Sequence, residues 1–364
     1  MTTPRSSATH LTLVDGSRRT RPSLERIASP ARSLADRTLP DETTGLWRRP
    51  ELPRPFGAYV LEERLGAGGM GAVYRATRAD GGPPVAVKVL SEHLVGGEGA
   101  ERFRREIGAL AELAHPSIVR LLDHGWVEDQ PFYVMELVDG PDLARLVARE
   151  GPQPPARVAA IVRDLAEGLA HAHGRGFVHR DIKPSNVILA REPGGERAKL
   201  LDFGLVLSAR GLGERLTAED MLLGTPGYMA PEGTKSAHAV GPRADLYALA
   251  MIAFFLRTGR HLFRPAEVVC EEAHAAALAR GRDLLRDAGG LPGALEAHVL
   301  SLLAFDARER PSSAQALADS IAADPEIAPW TARDADAWRA HLAPPARESR
   351  PPHAHAERSP SRAQ

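Results

Sequence analysis

The stretch from His179 to Asn186, which reads HRDIKPSN, limits more than any other what this chain can fold into. It places a carboxylate at Asp181, an ammonium at Lys183 and an amide at Asn186. One such group can orient a hydroxyl, one can neutralise phosphate and one can hold a metal ion, which is what phosphoryl transfer requires. An HRD tripeptide alone is more often an exposed loop with a capping Asp. The Lys, Pro and Asn at these offsets favour the catalytic interpretation.

A glycine-rich run, GAGGMG, occupies residues 66–71. A lone G-x-G-x-x-G is a weak signal, because its dinucleotide-binding form leads from a strand into a helix. Here a β-run follows from Ala72 to Arg78, so the pattern favours a hairpin laid over phosphates. Glycine suits this place because a side chain would keep backbone amides away from a triphosphate.

Lys88 lies within the apolar strand VAVKVL, where an ammonium is costly unless a carboxylate meets it. Helical spacing of the apolar residues over 100–114 makes Glu106 the natural partner. Glu101 and Glu112 are the alternatives and read better as solvated surface charges. The β-runs on either side of this helix predict a five-stranded antiparallel sheet with one helix.

The second half of the chain has mainly helical patterns. Short strands at NVILA and KLL are predicted around an insert, EPGGER, and the tripeptide Asp202-Phe203-Gly204 follows them. The fold class is therefore α+β, with a small sheet lobe and a larger, mainly helical lobe. Apolar periodicity predicts helices over 141–149, 154–173, 241–258, 265–285, 292–304 and 312–323.

Length and composition exclude several classes. The 364 residues exceed most single cores, so a two-lobed domain with tails is expected. A net charge of −1 gives no reason to expect nucleic acid or an anionic membrane as partner. The single cysteine, Cys270, excludes an internal disulfide, and the longest apolar run, residues 246–256, is too short to cross a bilayer. The N-terminus has no apolar leader, so a cytoplasmic protein is predicted.

Both ends of the chain are rich in Pro, Arg and Ser and lack hydrophobic periodicity. Such segments bury too little apolar surface to offset their ordering entropy, so we expect disorder over 1–56 and from about 343. Trp330 and Trp338 indicate a short helix at the start of the C-terminal tail. The predicted domain spans 57–324, with lobes over 57–139 and 140–324 and a tail over 325–364.

In family order, the motifs are GAGGMG, VAVKVL, Glu106 in a helix, HRDIKPSN, DFG, GTPGYMAPE, Asp245 and Arg310. Together they resemble the Hanks-type, eukaryotic-like serine/threonine protein kinase domain, over about three-quarters of the chain. The richness in Ala, Arg, Gly and Pro suggests a bacterial member. The resemblance implies a bilobal kinase fold with an ATP cleft between the lobes. It also implies transfer of the γ-phosphoryl group of ATP to Ser and Thr hydroxyls of proteins in cytoplasmic signalling, with transient self-association as a route to autophosphorylation.

Roles carried over from the family give each motif a task. Asp181 would orient the substrate hydroxyl and accept its proton, and Lys183 would steady the γ-phosphoryl group. Lys88, paired with Glu106, would hold the α and β phosphates. Asp202 would bind one Mg²⁺ and Asn186 a second, with Mn²⁺ as the alternative ion. The implied ATP-binding residues are Leu65, Gly66, Ala67, Gly68, Gly69, Gly71, Val73, Ala86, Lys88, Met135, Glu136, Val138 and Ile188.

Other family features implied by the resemblance are structural. Leu110, Leu121, His179 and Phe203 would form the stack that locks the active state, anchored by Asp245. Glu232 and Arg310 would form a buried ion pair.

Two threonines of the segment after Gly204 receive different interpretations. Arg180 adjoins the catalytic carboxylate and calls for a compensating anion, so Thr217 is the predicted regulatory phosphosite. Thr225 would bridge Asp181 and Lys183 as donor and acceptor, a structural role in catalysis. A phosphate there would repel Asp181.

Two alternatives to an active protein kinase were weighed. A pseudokinase would have lost Lys88, Asp181 or Asp202, and all three are present. A small-molecule phosphotransferase of similar fold usually lacks the APE segment that shapes a peptide platform, and Ala230-Pro231-Glu232 is intact.

Overall fold

The computed structural model describes residues 51–68, 71–91, 105, 107–203, 226–235 and 240–342. Of the tails predicted to be disordered, over 1–56 and from about 343, residues 1–50 and 343–364 lie outside the described residues. None of the helices within the described ranges is long and apolar enough to cross a membrane.

The first lobe is an antiparallel sheet whose strands bring alternate apolar side chains into two clusters on its faces. Its strand order is β1-β2-β3-β4-β6-β5. Tight pairing joins Gly68 to Gly71 across β2 and β3, and Ala86 to Met135 across β4 and β6. The strands are β1 (Arg54–Phe56), β2 (Tyr59–Gly68), β3 (Gly71–Arg78), β4 (Val85–Leu90), β5 (Leu121–Val127) and β6 (Gln130–Glu136).

The sheet contains one strand more than the five predicted. In β1, Phe56 is buried and meets the ring of Phe132 edge-on, with centroids 5.3 Å apart. Three residues, Arg-Pro-Phe, are too few to show a period of two, and so the sequence pattern missed them. The predicted end of the N-terminal tail at residue 56 is therefore wrong, because ordered structure begins before it.

The helix predicted over 100–114 is described only in part. Residues 105 and 107–110 are helical. Ile107 is fully buried against β4 and β6, and Leu110 packs beside it. The helical part ends at residue 110, four residues before the predicted end.

The second lobe is built around two long helices, α2 and α4, which pack on each other, and α2 also packs on α8. Helix α4 is buried on nearly every side, as its apolar sequence predicted, and Asp245 lies inside it. The helices are α1 (Leu143–Glu150), α2 (Pro155–His173), α3 (Pro231–Lys235), α4 (Pro242–Thr258), α5 (Pro265–Val268), α6 (Glu271–Asp287), α7 (Leu295–Leu302), α8 (Ala314–Ala323) and α9 (Ala332–Leu342).

Three predicted boundaries need correction. The single helix expected over 265–285 is two helices, α5 and α6, with a break at residues 269–270. Helix α8 begins at Ala314 because the Ser313 side chain accepts a hydrogen bond from the Ala316 amide, as an N-cap does. The expected insert after NVILA belongs instead to a regular hairpin, β7 (Val187–Glu192) and β8 (Gly195–Leu200).

The predicted ion pair between Glu232 and Arg310 is present. The guanidinium of Arg310 donates to both carboxylate oxygens, at 2.8 and 2.9 Å, and stacks on the ring of Tyr247. This pair ties α3 to the loop before α8.

A second buried charge cluster joins α1, α2 and β8. Arg157 is 2% exposed and donates to Glu150 at 2.8 Å and to Glu196 at 2.7 Å. Burial alone would raise the pKa of Glu150, but hydrogen bonds from Arg149 and Arg157 outweigh it and lower that pKa. Arg157 is therefore a buried guanidinium that both carboxylates share, and Arg149 is a more exposed second partner of Glu150.

The C-terminal helix α9 docks on this cluster. The indole N–H of Trp330 donates to Glu196 at 2.9 Å, and that of Trp338 donates to Glu150 at 3.1 Å. Arg339 adds a bond to Glu196 at 3.0 Å. The short helix predicted near the two tryptophans is present, but the folded domain extends to residue 342, beyond the predicted limit of 324.

Removing Arg157 should strongly destabilise the second lobe. In Arg157→Ala, Glu150 and Glu196 lose their shared buried partner and keep only the more exposed Arg149 and Arg339, so we expect a loss of about 3 kcal/mol in the free energy of unfolding. Urea titration of the full chain measures it. Arg163→Ala on the same helix removes an exposed pair with Glu167 and should cost less than about 0.5 kcal/mol. Equal losses in the two variants would contradict this account of the cluster.

Candidate functional site

The glycine-rich hairpin lies at the end of β2 and β3. Gly68 pairs with Gly71, and the two residues between them in the sequence, Gly69 and Met70, lie outside the described residues. A methyl group added at Gly66 or at Gly68 would meet no atom within 4 Å. The space beside these two glycines is therefore open, as a hairpin over phosphates requires.

Gly71 is needed for a different reason. Its φ of +138° is one that other residues rarely adopt, and an added Cβ would collide with the carbonyl oxygen of Val89 on β4. The sequence interpretation gave it the same task as Gly66 and Gly68, namely access to phosphate. In the structure Gly71 is first a requirement of the sheet itself.

Lys88 projects from β4 to Asp202, which follows β8 in the second lobe. Its Nζ lies 2.5 Å from Oδ2 of Asp202, and both side chains are mostly buried. The phenol of Tyr133 on β6 donates to the other oxygen, Oδ1, also at 2.5 Å. Lys88 and Asp202, both predicted site residues, are thus in direct contact. Tyr133, which the sequence analysis did not single out, bonds to the same carboxylate.

The environment of Asp202 favours its charged form. Burial alone would raise the pKa of this carboxyl, but the charge and hydrogen bond of Lys88, with the bond from Tyr133, outweigh burial and lower it. The same burial, together with the Asp202 charge, raises the pKa of Tyr133 well above its ordinary value. The carboxylate is therefore ionised and the phenol is a donor.

The HRDIKPSN segment brings its three polar groups together in one turn. Lys183 donates to both oxygens of Asp181, at 2.9 and 2.8 Å. Asn186 donates through Nδ2 to the backbone and to the carboxylate of Asp181, both at 2.8 Å. A 3-10 turn over Pro184–Asn186 returns Asn186 to Asp181, which is why this spacing is needed. The three side chains are therefore in mutual contact, and their catalytic roles stay predictions.

Asp245 of helix α4 supports the backbone of the HRDIKPSN segment. Its carboxylate accepts from the backbone N–H groups of His179 and Arg180, at 2.8 and 2.9 Å. His173 at the end of α2 contacts the same carboxylate at 2.8 Å. Arg180 has a φ of +67°, a conformation that needs support of this kind outside glycine.

The four residues of the predicted stack, Leu110, Leu121, His179 and Phe203, are all described. The rings of His179 and Phe203 lie 4.6 Å apart between centroids. Leu110 and Leu121 pack against the cluster that contains Tyr133 and Met135.

Three of the implied ATP-binding residues belong to one apolar cluster of the sheet. Ala86 and Met135 are buried side by side, and Val73 packs against them. Ile188 of β7 forms a backbone bridge to Asp142, the residue directly before α1. Leu65 is 37% exposed, beside the open hairpin.

Glu136 and Val138, two of the implied ATP-binding residues, lie at the end of β6 and just after it. The amide N–H of Glu136 donates to the carbonyl of Arg120 at 3.0 Å, and its side chain contacts Lys199 at 3.2 Å. That amide is therefore occupied within the protein. Val138 is half-buried just after β6. Adenine contacts at Glu136 and Val138 stay predictions.

Glu106, Gly69, Thr217 and Thr225 lie outside the described residues, so their predicted roles are untested. One observation bears on Thr217: the Nε of Arg180 is buried and makes no hydrogen bond to any residue that the structure describes.

The oxygen atoms of Asp202 and Asn186 fit a divalent cation of the Mg²⁺ type, which prefers oxygen ligands. Because the amide NH₂ of Asn186 is taken by Asp181, its carbonyl oxygen is the atom left for a cation. Each oxygen of Asp202 accepts one described bond and keeps a lone pair. Among the described residues, no group of three or more His, Cys, Asp or Glu side chains is arranged to hold a metal ion.

Tyr133 is the site residue that sequence reasoning missed. A signal existed, since a hydroxyl within the apolar run PFYVMEL needs a hydrogen-bond partner once the strand is buried. The pattern did not say which partner, because Asp202 is 69 residues away in the chain.

The family model for the protein kinase domain matches residues 59–321, which takes in both lobes. The chain is 38% identical over 275 residues to the serine/threonine-protein kinase Pkn2 of Myxococcus xanthus, covering 73% of this chain and 32% of that protein. It is 37% identical over 206 residues to the serine/threonine-protein kinase PknL of Mycobacterium tuberculosis, covering 56% of this chain and 50% of that one.

Among solved structures, it resembles a variant of the PknI kinase domain of Mycobacterium tuberculosis, with a TM-score of 0.56 and 30% identity. That match covers 74% of this chain and 96% of the PknI domain. The chain therefore belongs to the protein kinase domain family. Its relatives are Hanks-type bacterial serine/threonine kinases, of which it spans a third to a half in the two cases above.

The two kinds of glycine can be separated by substitution. Gly71→Ala should lower the free energy of unfolding by about 1 to 3 kcal/mol, because it forces a rare φ and a backbone collision. Gly68→Ala should leave stability unchanged and weaken binding of an ATP analogue. Urea titration and fluorescence binding measure the two effects. Equal destabilisation by both variants would overturn the distinction.

Proposed function

We propose that the chain is a serine/threonine protein kinase that transfers the γ-phosphoryl group of ATP to Ser and Thr hydroxyls of proteins. The observation that carries the proposal is the pairing of Lys88 with Asp202 beside a second group, Asp181 with Lys183 and Asn186. Family membership implies use of ATP and a divalent metal ion in general. Mg²⁺ or Mn²⁺ at Asp202 and Asn186 belongs to this proposal, as do cytoplasmic signalling and autophosphorylation through transient self-association.

The chain's own residues divide the reaction between them. The substrate hydroxyl oxygen attacks the γ-phosphorus, the new O–P bond forms, and the bond to the bridging oxygen breaks to release ADP. Asp181 orients the hydroxyl and takes its proton, while Lys183 balances charge on the transferred group. Lys88 positions the α and β phosphates. A bound divalent cation supplies neutralisation of the charge that develops on the leaving oxygen.

The Lys88–Asp202 pair supports this assignment by its charge balance. The two side chains neutralise each other in a largely buried place, so the site offers neither a strong excess of positive nor of negative charge. A bound triphosphate carries negative charge, and its cation carries positive charge. When both bind, the phosphates can pair with Lys88 and the cation with Asp202.

Substitution of Asp202 tests the mechanism. Asp202→Asn keeps the shape and removes the charge that binds the cation, so we expect phosphate transfer to a generic basic protein to fall about 10³-fold or more. Labelled phosphate with ATP and Mg²⁺ or Mn²⁺ is the measurement. Asp283→Asn removes an exposed carboxylate on α6 and should leave the rate unchanged.

The wild-type result separates the alternatives. Transfer to protein with loss in Asp202→Asn fits the proposal. Nucleotide binding without any transfer would indicate a pseudokinase, and transfer confined to small molecules would indicate a different phosphotransferase. Full activity of Asp202→Asn would contradict the proposed mechanism.

A further inference from the structure

Tyr133 occupies a place where the protein needs a ring but does not need a hydroxyl for packing. Its ring is 2% exposed and lies in an apolar cluster with Leu90, Ile107 and Met135. A phenylalanine would fill the same space. Because a buried hydroxyl is costly without a partner, the group must be explained by what it bonds.

The bond that it makes is to the carboxylate of Asp202. The Tyr133 hydroxyl donates to Oδ1 at 2.5 Å, while Lys88 donates to Oδ2 at the same distance. Lys88 Nζ also lies 5.6 Å from the centre of the Tyr133 ring. The three side chains come from β4, β6 and the segment after β8, so they meet across the two lobes.

Two donors on opposite oxygens fix the plane of the carboxylate. With Lys88 alone, the Asp202 side chain could turn about its last bond and still keep its ion pair. The Tyr133 bond removes that freedom. Asp202 itself has a φ of +50°, so the backbone that carries this carboxylate also has an uncommon conformation that needs support.

We propose that Tyr133 is a positioning residue, whose hydroxyl orients the Asp202 carboxylate so that its remaining lone pairs face the divalent cation that accompanies the nucleotide. The inference rests on the proposed function, because it concerns the same cation. Hydrogen bonds of this kind to a ligating carboxylate typically contribute about 10- to 100-fold in metal affinity.

The test is the coupling between Mg²⁺ and nucleotide in Tyr133→Phe, which keeps the ring and removes only the hydroxyl. The Kd of a fluorescent, non-hydrolysable ATP analogue is measured in EDTA and over a Mg²⁺ series. We expect the Kd in EDTA to be nearly unchanged and the Mg²⁺-dependent gain in affinity to fall about 10-fold. In phosphate transfer, the Mg²⁺ concentration for half-maximal rate should rise by a similar factor, with a smaller change in kcat.

Tyr59→Phe is the matched control. Tyr59 is also a buried phenol of the same sheet, and it donates to a carboxylate, Asp123, at 2.7 Å. It makes no described contact with Asp202. This variant should bind nucleotide with the full Mg²⁺ dependence, and thermal unfolding of both variants checks that the fold persists.

The outcomes separate the inference from the proposed function. A Mg²⁺-dependent gain that is equal or larger in Tyr133→Phe than in the wild type would overturn the role of Tyr133 and leave the kinase proposal intact. A wild-type chain whose nucleotide binding does not respond to Mg²⁺ would overturn both. An equal loss in Tyr59→Phe would show that the effect is a general one of the sheet, which also contradicts the inference.

Discussion

The ion pair between Lys88 and Asp202 is the interaction on which the rest of the site depends. It joins the sheet lobe to the helical lobe through two charges that are largely removed from water. Neither charge is tolerable alone in such a place, so each requires the other until phosphate and a cation replace them. This mutual dependence explains why Lys88 stands within an apolar strand and why the pKa of Asp202 is lowered despite its burial.

A second buried carboxylate serves the helical lobe in a comparable way. Asp245 accepts backbone N–H groups at the start of the HRDIKPSN segment and so holds the segment that carries Asp181. The carboxylate comes from helix α4, which is buried on nearly every side, so the HRDIKPSN segment is attached to the core of the lobe. The site thus has two anchors, and the polar groups of each are satisfied within the protein.

The sequence predicted those parts of the molecule that depend on local pattern. The spacing in HRDIKPSN singled out Asp181, Lys183 and Asn186 as one group, and the apolar run around Asp245 predicted a buried helix. Contacts between distant residues escaped it unless the family resemblance supplied the pair, as it did for Glu232 and Arg310. The bond from Tyr133 to Asp202 spans 69 residues, and α9 is held by Trp330 and Trp338 against carboxylates far earlier in the chain. Strand β1 was missed because it is only three residues long.

The central proposal is that Asp202 binds one divalent cation beside Lys88 and that Asn186 binds a second. Anomalous diffraction from crystals grown with Mn²⁺ and a non-hydrolysable ATP analogue tests it most directly. The account predicts one Mn²⁺ bonded to an oxygen of Asp202, at about 2.1 Å, and another bonded to the carbonyl oxygen of Asn186. Mn²⁺ that accompanies bound nucleotide but touches neither residue would contradict it.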